Sequence, residues 1–313
     1  MKKNIAILGA TSHIAKGLIY NFLQSEEFCL HLYARSADKV NDFLVAIGKC
    51  EGKDRFIYNG FADFPNRDYD VVINCVGIGT INKHKGDYAA YFTITEEYDN
   101  LVIAYLRRNH PKTLYISFSS GAVYGKVFSA PARENTTNCI SVNHINKEDY
   151  YAIARLNAEA KHRAFADLNI VDLRLFSYFS RFIDLTDGYF ITELLSCILK
   201  KKVFVTDNQN IIRDYVHPDD LFVVVMKCLA ASHINGAFDV MSARPVEKRE
   251  VVDYFVRKYG LMFQMDTSVS SESATGAKSI YYSKYGKINN LGYHPKFGSF
   301  ETIKMESKYI LSQ

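Results

Sequence analysis

The sequence predicts an α/β chain: a doubly wound parallel sheet (Rossmann-like) with a smaller C-terminal substrate-binding lobe. Three observations carry that expectation. Short apolar runs alternate with helical patterns through the first half of the chain. The first run opens into a turn of small residues and then a helix, as in a nucleotide-binding unit. The chain has 313 residues, 48% hydrophobic and 23% charged, enough for a large core and unlike a disordered composition.

Taken in order, Asn4–Leu8 is an apolar run ending at Gly9, the pattern of a buried parallel strand. Ile14, Leu18, Ile19, Phe22 and Leu23 then fall on one face of a helix. Phe28–Tyr33 reads as a second strand, Asp38–Ile47 as a second helix and Arg55–Tyr58 as a third strand. Asp70–Cys75 and Thr113–Phe118 are two more, separated by a helical stretch from Tyr88 to Arg108, and Ile170–Leu175 is a sixth. The second half is less regular. Ile191–Lys201 is helical, Val203–Thr206 a short strand, and Pro218–Leu229 a helix opened by proline and two acids. Val246–Tyr259 is helical and Ser268–Lys278 is a polar loop of small residues. A division follows: 1–176 as the dinucleotide-binding domain, 177–313 as mainly the substrate-binding lobe.

Lys and Arg number 38 against 34 Asp and Glu, a formal charge of +4. That scattered, mild excess does not build the field of a nucleic-acid binder. Six cysteines lie far apart, with no C-x-x-C pair and no metal-site spacing, so they read as reduced packing residues and no metal is expected. The apolar run at Ile5–Leu8 is too short for a signal peptide, and no later run reaches membrane-spanning length; a cytoplasmic protein is the expectation.

Chemistry gathers at the strand ends. In Gly9-Ala10-Thr11-Ser12-His13-Ile14-Ala15 a tight turn would present backbone N–H groups and a helix N-terminus to a pyrophosphate. The second strand ends Tyr33-Ala34-Arg35-Ser36, without the acid that accepts from an adenosine ribose 2′-hydroxyl. A guanidinium and a hydroxyl suit a 2′-phosphate instead, which points to NADP(H) over NAD(H); the alternative is a surface arginine starting a helix. Tyr151 and Arg155 are one turn apart on a helix that Asn146 would cap. A fixed cation beside a phenol lets it act as an acid or base, and Ser120 could bond the reacting oxygen. Arg155 could also simply pair with Glu159 on an exposed face.

The chain resembles the extended short-chain dehydrogenases/reductases, the NAD-dependent epimerase/dehydratase family of nucleotide-sugar-modifying enzymes. The resemblance rests on Gly9-x-x-Ser12-x-x-Ala15, Ser119-Ser120-x-x-Val123-Tyr124-Gly125 and Tyr151-x-x-x-Arg155. It continues in Arg213-Asp214-Tyr215-Val216-His217-Pro218-x-Asp220 and Leu291-Gly292-Tyr293-x-Pro295. It implies Ser120 and Tyr151 as catalytic residues, with Arg155 in the position of the family lysine. It implies a cofactor site built from Gly9, Thr11, Ser12, His13, Ile14, Arg35, Ser36, Tyr151 and Arg155, with Gly60 and Phe61 at the adenine and Cys75, Val76 and Gly77 at the ribose. Tyr124, Ser177 and Arg213 are implied at the substrate, Arg213 on its pyrophosphate. Many relatives dimerise through two long helices, here those around Asp99 and Leu156, so a homodimer is an expectation.

The expected activity is NADP-dependent reduction of a nucleotide-linked 4-keto sugar. A 4-epimerase that retains its cofactor and a catalytically silent NADP-binding sensor are the alternatives. A 4,6-dehydratase fits less well, because Gly121-Ala122 stand where such relatives carry an Asp-Glu pair.

Overall fold

The computed structural model describes residues 2–49, 55–79, 85–126, 128–266 and 278–312. Cys50 and nearly all of the 268–278 loop lie outside these residues. Within them the first strand, β1 (Lys3–Leu8), leads through α1 (His13–Phe22), β2 (Phe28–Tyr33), α2 (Ala37–Ala46) and β3 (Phe56–Asn59). Then come β4 (Val71–Asn74), α3 (Ala90–Asn109), β5 (Leu114–Ser120), α4 (Lys147–Ala164) and β6 (Ile170–Leu175). These are the six strands predicted for the first half of the chain and its close at Leu175, with bounds within a residue or two.

A seventh strand went unread in the sequence. The C-terminal half supplies β7 (Ser177–Tyr178), α5 (Phe190–Lys200), β8 (Phe204–Thr206), β9 (Ile212–Arg213), β10 (Tyr215–Val216), α6 (Pro218–Ala230) and β11 (Asn235–Val240). β11 pairs in parallel with β6 and completes a seven-stranded sheet of order β11-β6-β5-β4-β1-β2-β3. The reversal of direction at β1 and β4 opens a crevice at the carboxyl ends of those strands, where such sheets take ligands. Thus residues 218–240, assigned with the C-terminal lobe in the sequence division, return to the large sheet, α6 lying against α1.

The sheet is coated on both faces. Ile5, Ile7, Leu30, Leu32 and Ile73 point to one side with Leu18, Ile19 and Phe22 of α1. Ala6, Leu8, Tyr33, Val72 and Tyr115 point to the other with Val102 and Leu106 of α3. Alternate strand residues serving opposite cores is why these strands read as continuous apolar runs.

The lobe is finished by β12 (Val246–Glu247), α7 (Lys248–Tyr259), β13 (Phe263–Met265), β14 (Ile280–Tyr281) and α8 (Ser299–Leu311). Its own core holds Phe179, Leu194, Leu195, Phe255 and Ile303. Two small assemblies face the crevice: β12-β9-β14, and β10 paired with β7. Among the described residues no helix is long and apolar enough to cross a membrane.

Candidate active site

The turn after β1 is fixed by its own backbone. The Gly9 and Ala10 amides donate to the Tyr33 carbonyl at 2.9 and 3.0 Å, and Ser12 caps α1 by accepting from the Ala15 amide. Gly9 has φ +73°, and a Cβ there would stand 3.0 Å from the Cys75 carbonyl carbon and the Val76 nitrogen. The ends of β1 and β4 therefore meet closely only because residue 9 is glycine. Since α1 begins at His13, the amides of His13 and Ile14 lie in its open first turn, beside Thr11. This cradle fits a pyrophosphate.

The His13 side chain is committed elsewhere. Its Nε2 accepts from the Ser180 amide at 3.2 Å and lies 2.8 Å from Ser180 Oγ, and its ring packs on Tyr178 at 4.7 Å. Burial holds its pKa down at about 3, so the ring is neutral and its proton sits on Nδ1. What His13 gives the loop is its backbone.

Beyond β2, Arg35 is exposed and Ser36 caps α2 by accepting from the Lys39 amide. Gly60 opens the short helical turn at Phe61, whose ring lies 4.8 Å from Tyr98. Tyr98 also feels the Arg35 charge, so Arg35, Phe61 and Tyr98 share one end of the crevice. Cys75, Val76 and Gly77 follow β4. Cys75 is buried, which pushes its thiol pKa up and keeps it unreactive, while the Val76 amide is held by Asn74 Oδ1 at 3.0 Å.

Helix α4 starts in a capping box: the Asn146 side chain accepts from the Glu148 amide, and the Asp149 carboxylate accepts from the Asn146 amide. That register aims Tyr151 and Arg155 at the crevice. The Arg155 guanidinium centre is 5.4 Å from the Tyr151 ring, and Nη1 donates to the Phe118 carbonyl at 3.1 Å. A Cβ on residue 77 would fall 2.4 Å from Arg155 Nη2, so the fork occupies the space over Gly77. Among the described residues Arg155 Nε, which is buried, has no partner. The pairing with Glu159 does not form. Glu159 is taken by Arg174 Nη2 at 2.5 Å and by the Ser119 hydroxyl at 2.6 Å.

Ser120 ends β5, buried, with its Oγ 3.1 Å from the Tyr281 hydroxyl. Tyr151 is half-buried, with the Tyr91 ring at 5.1 Å. Tyr189, at the head of α5, donates to the Gly79 carbonyl at 2.8 Å and bridges the lobe to the loop after β4. Gly121 leaves no room for an acid: a Cβ there would lie 2.4 Å from the Phe176 ring.

On the lobe side Arg213 is 5% exposed, its guanidinium 5.9 Å from the Tyr281 ring. Lys278 is 8% exposed, its ammonium 4.4 Å from the same ring. Among the described residues neither has a carboxylate partner. Burial, then the Arg213 charge, brings Lys278 down to about 8, and burial lowers Arg213 as well. Ser177 lies nearby as the ladder partner of Tyr215.

The structure thus gathers Ser120, Tyr151, Arg155, the Gly9 turn, Cys75–Gly77 and Arg213 around one crevice. It does not bring the Tyr124 hydroxyl there free. That hydroxyl donates to Asp239 at 2.9 Å and accepts from Arg174 Nη1 at 2.9 Å inside a buried network. Sequence reasoning missed Lys278, Tyr281, Tyr91 and Tyr189. Only the ladder that sets Tyr281 opposite Arg213 marks the first two, and it exists only in three dimensions.

The family model for the NAD dependent epimerase/dehydratase family matches residues 5–240. None of the curated proteins matches the chain by sequence. Among solved structures, a UDP-N-acetylglucosamine 4-epimerase from Methanobrevibacter ruminantium is similar with TM-score 0.81 and 16% identity, covering 100% of both chains. A UDP-glucuronic acid 4-epimerase from Bacillus cereus, solved with NAD and a fluorinated substrate analogue, has TM-score 0.77 and 16% identity over 99% of each chain. A dTDP-glucose 4,6-dehydratase from Bacillus anthracis has TM-score 0.77 and 16% identity, over 99% of this chain and 97% of that one. At such identities these likenesses speak for the fold, while the family match spans three quarters of the sequence and every strand of the large sheet. The chain belongs to the NAD dependent epimerase/dehydratase family.

Proposed function

We propose that the protein is an NADP(H)-dependent oxidoreductase that reduces the 4-keto group of a nucleotide-linked sugar. The observation that carries this reading is the cluster of Tyr151, Arg155 and Ser120 beside the Gly9 turn. When bound, a reduced nicotinamide supplies the hydride. The chain's own residues supply the rest. Ser120 donates a hydrogen bond to the carbonyl oxygen, and Tyr151 gives its proton to that oxygen as it becomes an alkoxide. Arg155 places its guanidinium 5.4 Å from the Tyr151 ring. Arg213 and Lys278, two buried cations without carboxylate partners among the described residues, suit the two charges of a nucleoside diphosphate. Crowding at Gly121 argues against dehydration, which needs an added acid and base there.

The preference for NADP(H) is supported by Arg35 and Ser36 at the end of β2, where no acid is present to take a ribose diol. A charge-assisted phosphate contact contributes about 1.5–3 kcal/mol, at least a tenfold preference. Arg35→Asp is expected to reverse it; calorimetric titration giving equal or tighter NAD(H) binding to the parent protein would count against the assignment. The second reading is a 4-epimerase with retained cofactor, favoured by the 4-epimerase activities of two structural relatives.

One experiment separates the readings. Mass spectrometry of copurifying nucleotides identifies the base and sugar, and NADPH oxidation is then followed with the matching 4-keto compound. Net consumption is the expected result, and interconversion of C4 epimers without net consumption would replace the reductase with the epimerase. Tyr151→Phe should remove a factor of about 10²–10⁴ in kcat while binding stays near intact. An undiminished rate would end the mechanism in either form.

A further inference from the structure

The hydrogen-bonding capacity of Ser120 can be counted through. A serine hydroxyl has one proton and two lone pairs. Ser120 Oγ accepts from the Ala122 amide at 3.2 Å, which occupies one lone pair. A carbonyl oxygen has no proton to give, so polarising it requires the serine's own proton. The second lone pair is what remains for the Tyr281 hydroxyl 3.1 Å away, and Tyr281 must then be the donor. The hydrogen bonds run from Tyr281 to Ser120 to substrate.

We infer that Tyr281 is a positioning residue for the reaction: its hydroxyl donates to Ser120 Oγ and aims the serine proton at the substrate carbonyl. The inference rests on the reading of Ser120 given above. Hydrogen bonds in such a chain polarise one another, so the serine becomes a better donor as well as a better aimed one. Tyr281 is built to stay in place. Its ring packs on Phe128 at 5.2 Å and Phe176 at 5.0 Å, and its backbone is the β14 partner of Arg213 on β9. Burial raises its pKa, so the donated proton is present throughout the neutral range.

The placement joins two halves of the molecule. Arg213 and Lys278 both lie over the Tyr281 ring, so an anion held by those cations bears on the residue that orients Ser120. Substrate binding in the lobe and carbonyl polarisation at the end of β5 share one side chain.

A double-mutant cycle on the full-length protein tests this with two probes. One is NADPH oxidation by dTDP-4-keto-6-deoxyglucose; the other is single-turnover reduction of bound NADP⁺ by UDP-glucose. Tyr281→Phe keeps the ring and all its packing, and is expected to lower the hydride-transfer rate about tenfold with probe KM and NADPH Kd unchanged. Ser120→Ala is expected to lower it about a hundredfold. Adding Tyr281→Phe to Ser120→Ala should then cost nothing more, because the hydroxyl has nothing left to orient. A full rate in Tyr281→Phe, with Ser120→Ala impaired, overturns the inference and leaves the oxidoreductase reading standing. So does the same tenfold loss in both backgrounds, or a loss expressed in KM or melting temperature instead of rate. An unimpaired Ser120→Ala, or a parent protein inert to both probes, overturns the underlying reading and this inference with it.

Discussion

Two of the clusters of buried positive charge are arranged in opposite ways. Between α3, α4 and the sheet, His162 is fully enclosed with Asp172 at 2.8 Å from Nδ1 and Asp99 at 2.6 Å from Nε2. Lys161 pairs with the same Asp99, and Arg163 lies 3.0 Å from Asp172. Across the crevice, Arg213 and Lys278 are nearly as buried but share an aromatic ring and, among the described residues, have no carboxylate partner. Charges paired inside the fold hold the fold together; charges left unpaired depend on a ligand to complete them. The first cluster thus serves the fold, and the second is the one proposed to meet a ligand.

Breaking the paired cluster has the largest expected effect. His162→Ala leaves two buried carboxylates without their shared cation and should cost about 3–5 kcal/mol of stability. Denaturant unfolding measures the loss, while substrate KM in the surviving folded protein should not move. Burial opposes the charge on His162, but the bonds and charges of Asp172 and Asp99 overcome it and lift its pKa to about 9. A folded pKa raised above the unfolded value near 6.5 gives stability that is full below that value and is lost as pH rises through about 9. Stability of the parent should decline between pH 7 and 9.5, and His162→Gln should flatten that decline. A parent stability flat over that range would show that the imidazole is not charged.

The unpaired cluster should respond the other way. Arg213→Ala is expected to weaken nucleotide-sugar binding about a hundredfold, from the loss of charge-assisted bonds to a diphosphate. NADPH affinity should hold, and stability should stay level or rise, because a desolvated charge has been removed. Marked destabilisation with unchanged substrate affinity would place Arg213 with His162 as a structural cation.

The contrast also explains what the sequence made legible. Tyr151, Arg155 and their Asn146 cap were readable because spacings of four and five residues on a helix are local geometry. The partner of Arg155 was not, since Gly77 and the Phe118 carbonyl reach it only when β4 and β5 lie side by side. Glu159 seemed available to Arg155 for the same reason; β6 brings Arg174 to it from 15 residues away. The seventh strand was hidden by Asn235, Gly236 and Asp239, which interrupt its apolar run to serve buried hydrogen bonds and close packing. Strands of two residues, such as β9 and β14, are too short to show any period. Arg213 was found through its family motif, whereas Lys278 and Tyr281 belong to no local pattern.

The smallest expected effect is also the sharpest probe of the unpaired cluster, because it needs no disruptive mutation. Lys278, at about 8, loses its charge within an accessible range, while an esterified diphosphate keeps both charges over the same range. The affinity that Lys278 gives to a dianion should therefore be complete below pH 7 and fall as pH rises through about 8. Binding is expected to be about tenfold weaker at pH 9 than at pH 7. Among the described residues the groups facing the ammonium are Arg213, which stays charged, and the rings of Phe128 and Tyr281, of which the phenol stays neutral. Lys278→Arg supplies a cation that does not titrate, so the pH dependence should vanish while affinity at pH 7 changes little. Isothermal titration with UDP-glucose across pH 6.5 to 9.5, parent against Lys278→Arg, measures both. A parent profile as flat as the variant's would mean that Lys278 lies outside the diphosphate's reach, leaving Arg213 to hold it.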